Sequence, residues 1–102
     1  MKRLLLEIDV IRRSVVIFGV KVALTPMEVQ ILHALVQSDH ASISRSQLMI
    51  YIWEKHSTHL NNHLDVAIYR LRTKLKNHLD RRVTLEYFNG YYHLKIVSHS
   101  GE

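Results

Sequence analysis

The 102-residue sequence predicts an α+β fold: a small N-terminal antiparallel sheet, three helices, then a C-terminal β-hairpin. Three observations carry this reading. The hydrophobic period changes at Thr25 from strand-like alternation to a helical spacing. Two Ser/Thr caps introduce helical stretches, and an Asn-Gly pair at Asn89–Gly90 sits between alternating runs.

Residues 4–24, LLLEIDVIRRSVVIFGVKVAL, are rich in Val, Ile and Leu with charges interspersed, and suit two to four short strands with a turn at Gly19. Val20, Val22 and Leu24 alternate with Lys21 and Ala23, as in a half-buried strand. In TPME, Thr25 is an N-cap, Pro26 occupies the first helical position, and Glu28 stands where it can bond back to the cap. Val29, Ile31, Leu32, Leu35 and Val36 supply that helix's apolar stripe, which should fade near QSDHAS. A second cap follows in SRSQ, where Ser44 can accept from the amide of Gln47 and Gln47 can reach back; Leu48 and Ile52 then share a face. After the polar EKHSTHLNN, Asn61 is a plausible cap for the longest periodic stretch. At about 100° per residue, Leu64, Ile68, Leu71 and Leu75 gather on one arc, and Asn62, Val66, Tyr69, Arg70 and Thr73 point the other way.

In the last stretch, EYFNGYYHLKI, a two-residue turn at Asn89–Gly90 pairs Phe88 with Tyr91, Tyr87 with Tyr92, Leu85 with Leu94 and Val83 with Ile96. Alternation then puts Val83, Leu85, Tyr87, Tyr92, Leu94 and Ile96 on a core face. Thr84, Glu86, Phe88, Tyr91, His93 and Lys95 take the other. The whole chain, 1–102, reads as one domain, with 1–24 forming the sheet, 25–79 the three helices and 83–96 the hairpin.

Composition narrows the function classes. The formal charge is +5, and six of the 14 Lys and Arg fall between Arg70 and Arg82, which suits a polyanionic partner as well as a solvated helix face. Without cysteine there is no disulfide, thiolate nucleophile or cysteine zinc site. The apolar runs are shorter than the roughly 20 residues a membrane span needs, so the expectation is a cytosolic protein. Neither a nucleophile elbow, a Gly-rich phosphate loop nor paired carboxylates are visible, so no enzyme and no cofactor are expected. His56, His59 and His63 lack an acidic or cysteine partner and are read as polar surface, with no metal site.

The stretch from Ser44 to about His56 and the basic helix from Asn61 can form a helix-turn-helix, whose second helix enters the major groove. Arg70 would then read a guanine edge, Asn62 an adenine or a phosphate, and Val66 a thymine methyl, with Tyr69 and Thr73 on backbone or bases. An amphipathic helix with an incidental basic face explains the same pattern.

LTPMEVQIL, ISRSQLMIYIW and LDVAIYRLRTKL together resemble the winged-helix DNA-binding domain of OmpR/PhoB-type response regulators, from about Leu6 to Ile96. The resemblance implies a winged helix-turn-helix that binds double-stranded DNA and regulates transcription. A protein-interaction module, docking on a regulator or a polymerase subunit, is the alternative. Family recognition-helix contacts fall on Asn62, Asp65, Ala67, Arg70 and Arg72, with Arg70 the usual base reader. Arg45 and Trp53 match positions that hold the DNA backbone; Arg72 and Lys74 match positions that contact phosphate or pair internally. Asp65 reads as an internal partner for an arginine.

Residues 54–60 stand where the family's loop touches RNA polymerase, and a weak homodimer on tandem half-sites is expected. The usual receiver domain has no room in this chain. Asn62 and Ala67 depart from the common arginine and histidine, so base preference is not carried over. At the wing, NGYY is one residue shorter than the family tip. Asn89 replaces the arginine that enters the minor groove, which leaves Asn89 and Tyr91 as weak contacts to backbone, sugar or a protein.

Overall fold

The computed structural model describes residues 6–56, 61–79 and 82–97; the side chains at 55, 56, 61 and 62 lie outside that description. The expected cap at Asn61, the side chains of Asn62, His56 and His59, and most of the 54–60 loop therefore fall outside the described residues.

Three short strands, β1 (Leu6–Asp9), β2 (Ser14–Ile17) and β3 (Val20–Ala23), form an antiparallel meander in the order β1-β2-β3. Phe18 and Gly19 turn the second hairpin with φ of 51° and 80°, so Ile17 faces Val20. Both central residues thus adopt the left-handed region that a two-residue hairpin requires. As alternation predicts, Val22 and Leu24 are buried while Lys21 and Ala23 are exposed.

α1 (Pro26–Gln37) begins with the complete capping box: the Glu28 amide donates to Thr25 Oγ1 at 3.2 Å, and the Thr25 amide donates to Glu28 Oε1 at 2.9 Å. Val29, Ile31, Leu32 and Leu35 are buried, but Val36, near the helix end, is 37% exposed; Ala34 is buried in the same last turns. A 3-10 turn (Asp39–Ala41) with positive φ at His40 and Ala41 redirects the chain into β4 (Ser42–Ser44). This strand is absent from the sequence reading, because three residues carry too little periodicity to announce it. It exists by pairing with a strand almost fifty residues away.

α2 (Arg45–His56) starts where Ser44 Oγ accepts from the Gln47 amide at 3.1 Å. α3 (Asn61–Leu79) buries Leu64, Ile68, Leu71, Leu75 and also Leu79 against α1, β3 and the hairpin. The hairpin, β5 (Val83–Phe88) and β6 (Tyr91–Ile96), has the register that Asn89–Gly90 predicts, with φ of 56° and 83° at the turn. β6 lies in the middle of the second sheet, in the order β4-β6-β5. Val83, Leu85, Tyr92 and Leu94 are buried on the core face, whereas Tyr87 and Ile96 on that same face are 50% and 37% exposed. In each end pair one member is buried and the other is not, Val83 beside Ile96 and Tyr92 beside Tyr87, which corrects the assignment of Tyr87 to the core. At the hairpin base the Arg82 guanidinium lies 4.7 Å over the Phe18 ring, joining the two sheets by a cation–π contact.

Candidate nucleic-acid interface

The buried leucines of α3 fix its rotation, and the opposite face carries Val66, Tyr69, Arg70 and Thr73 of the expected set, Asn62 lying outside the described side chains. Val66 is 46% and Tyr69 67% exposed, Arg70 is exposed and Thr73 half-buried. Ala67, by contrast, is 7% exposed and turned toward the core, so it is in no position to read a base. Trp53 on α2 is 49% exposed.

The cations divide into two groups. Arg72 Nε donates to the Leu85 carbonyl at 2.8 Å, tying α3 to β5. Lys74 Nζ reaches Glu28 Oε1 at 2.6 Å and the Ala23 carbonyl at 3.2 Å, binding α3 to the start of α1 and the end of β3. Glu28 is fully buried, and its Oε2 has no hydrogen-bond partner among the described residues, so Lys74 supplies the compensating charge. Both side chains do structural work that their spacing on a basic helix does not announce. For Arg70 and Lys76, exposed on the same helix, the structure shows no such tie among the described residues.

Arg45, at the start of α2, meets α3 and the wing together. Its Nη1 donates to Asp65 Oδ1 at 2.8 Å and to the Tyr92 hydroxyl at 2.5 Å. Burial disfavours the cation, but the hydrogen bonds and charges of Asp65 and Tyr92 outweigh this and hold its pKa above the ordinary arginine value. Burial likewise raises the Tyr92 phenol, against the lowering effect of Arg45. Tyr87 packs on Tyr92 with ring centroids 4.7 Å apart, and with Ile68, Tyr69 and Arg72 these side chains line a shallow groove between α3 and the wing. Sequence reasoning gave Tyr92 a core role only. The signal available was that a tyrosine, not a phenylalanine, occupies a buried position, and a buried hydroxyl needs a partner.

The wing tip is tied down. The Arg45 amide donates to the Gly90 carbonyl at 3.0 Å, so Asn89 and Gly90 lie beside the start of α2. Phe88 and Tyr91 are exposed on the outer face, 68% and 48%, with an exposed Glu86–Lys95 pair at 3.3 Å further down the hairpin. Such a solvated pair contributes little to stability. Among the described residues, no three His, Cys, Asp or Glu side chains come together as a metal-binding group, and no helix is long and apolar enough to cross a membrane.

Comparison with known proteins places this geometry. Residues 19–93 match the family described as "Transcriptional regulatory protein, C terminal". Over 78 residues, 76% of the chain, the sequence is 30% identical to the transcriptional regulatory protein PcoR of Escherichia coli. That match covers 34% of PcoR, so the chain spans about a third of the length of this curated relative. The fold is similar to that of the DNA-binding domain of the response regulator AdeR, solved in complex with an intercistronic region. The TM-score is 0.70 and the identity 24%, over 94% of this chain and 99% of that one.

Proposed function

Because the chain belongs to the C-terminal family of transcriptional regulatory proteins, we propose that it binds duplex DNA sequence-specifically and regulates transcription. The observation that carries this reading is the outward face of α3, where Arg70, Tyr69, Val66 and Thr73 face away from a wholly buried leucine stripe. A helix so oriented offers hydrogen-bonding and apolar side chains to a major groove, with α2 and the wing flanking it.

Arg70 is the residue assigned to a base edge, with guanine the natural partner of a guanidinium. Val66 is suited to a thymine methyl, and Tyr69, Thr73 and Asn62 to bases or backbone. Arg45 and Trp53 flank the groove for the phosphates. Arg72 and Lys74, held by Leu85 and Glu28, serve the surface mainly by fixing α3. Asn89 and Tyr91 at the wing supply weak contacts to sugar or backbone. The reading extends to chain 1–102 acting as one effector domain. RNA polymerase contact through the 54–60 loop, dimerisation on tandem half-sites and a cytoplasmic location belong to the same proposal.

A titration of a random duplex at several salt concentrations tests it. Phosphate contacts release counterions, so log K should fall with log salt at about −0.9 per contact. A slope of about −2 or steeper is expected from Arg45, Arg70 and their neighbours. Absence of binding, or affinity indifferent to salt, would favour the protein-interaction reading, for which the exposed Phe88 and Tyr91 are the natural docking side chains.

A further inference from the structure

The geometry points to Asp65 and Tyr92 as positioning residues that pin one nitrogen of Arg45 and leave the opposite guanidinium edge for a DNA phosphodiester. This rests on the DNA-binding reading above. A guanidinium has five N–H groups, two of them on Nη1. Arg45 Nη1 makes both contacts, to Asp65 Oδ1 and to the Tyr92 hydroxyl, so its donors are used. The Nε and Nη2 donors find no acceptor among the described residues. That edge is the fork that matches a phosphate in bidentate fashion.

The three side chains come from three elements: Arg45 from α2, Asp65 from α3 and Tyr92 from the central wing strand. The Tyr87 ring packed on Tyr92 restrains the phenol, and the bond from the Arg45 amide to Gly90 holds the base of the arginine beside the wing turn. Side chain and backbone of Arg45 are thereby both fixed before any ligand arrives, which lowers the ordering cost of binding. The node also accounts for an acid on a face turned toward a polyanion. Asp65 is 64% exposed in its side chain and would repel phosphate on its own. Paired with Arg45, it trades charge for direction.

Two variants of equal charge separate direction from charge. Asp65→Asn keeps an oxygen acceptor for Arg45; Asp65→Ala removes it. Against a random 20-base-pair duplex, Asp65→Asn should bind more tightly than the parent because one negative charge is gone. Asp65→Ala should bind roughly three- to ten-fold more weakly than Asp65→Asn, with a salt slope shallower by about one contact. Tyr92→Phe, which leaves the charge unaltered, should weaken binding and flatten the slope in the same way. In an Arg45→Gln background both effects should disappear, since no guanidinium remains to position. Urea midpoints measured alongside confirm that each variant is folded.

Equal affinities for Asp65→Asn and Asp65→Ala would overturn the proposal and leave Asp65 as a repulsive charge only. Persistence of the Asp65→Ala and Tyr92→Phe effects without Arg45 would also overturn it, assigning both residues to general folding. If the parent protein binds no duplex in a salt-dependent way, it is the DNA-binding reading that fails first.

Discussion

Lys74 sits on the most basic helix of the chain, yet its ammonium is 2.6 Å from the fully buried Glu28, and Lys74→Met tests what that contact is worth. Methionine keeps the length and apolar stem of the side chain and removes the charge. Removing one member of a fully buried pair typically costs 3–5 kcal/mol, about 4 in the middle, because the other charge is left uncompensated. Two features reduce that here. The Lys74 side chain is 32% exposed, so water reaches the site, and the Thr25 amide still donates to Glu28 Oε1. Glu28 Oε2, however, already lacks a hydrogen-bond partner among the described residues, so little else there can absorb the charge.

The expected loss is about 2–3 kcal/mol. For a domain of this size that is a fall of about 8–24 °C in Tm, at roughly 4–8 °C per kcal/mol. Urea denaturation followed by far-ultraviolet circular dichroism gives the free energy directly. In Lys74→Met combined with Glu28→Gln, which preserves the capping acceptor while removing the orphaned charge, most of the loss should be recovered. The reasoning fails if Lys74→Met stays within about 0.5 kcal/mol of the parent while duplex affinity and its salt slope drop. Lys74 would then be a phosphate ligand, and its contact with Glu28 incidental.

Other measurements probe the remaining parts. Arg70→Ala should cost about 1–3 kcal/mol at the preferred site and relax one base position. Equal weakening across all duplexes would demote Arg70 to a phosphate contact. At the wing, Asn89→Gly with Tyr91→Ala retains the left-handed turn and should weaken binding modestly while leaving the ranking of target sequences unchanged; loss of that ranking would give the wing a reading role. Alkaline stability follows from Tyr51 and Tyr92, whose phenols burial raises above their ordinary value of 10.0. The folded state holds these protons more tightly than the unfolded chain, so their contribution is complete below about pH 10 and is lost as pH rises through the raised values. Urea midpoints should therefore decline above that pH, less so in Tyr51→Phe/Tyr92→Phe, and a midpoint equally steep in the double variant would refute this origin.

Most of the architecture was legible in the sequence because its signals are local. Thr25, Pro26 and Glu28 satisfy one helix terminus within four residues, Asn89–Gly90 sets a register by its φ angles, and the α3 leucines declare a buried face by spacing alone. The outward set of Val66, Tyr69 and Arg70 follows from the same rotation, so the candidate surface was visible with the helix.

What tertiary structure decided is where polar groups distant in sequence find one another. β4 is a strand only because β6 offers it hydrogen bonds, and Tyr87 is half exposed along the groove between α3 and the wing although its cross-strand partner Tyr92 is buried. Arg45, Arg72 and Lys74 have the same type of charge as Arg70 and equal standing in any composition. Their fates diverge on contacts to Asp65, Leu85 and Glu28, between 13 and 46 residues away in the chain. Capping and periodicity act over one or two turns, whereas pairing a buried carboxylate with a cation depends on how whole elements pack. The sequence alone therefore determined which elements form and which faces they bury, and the packing decided which of its cations remain available to a partner.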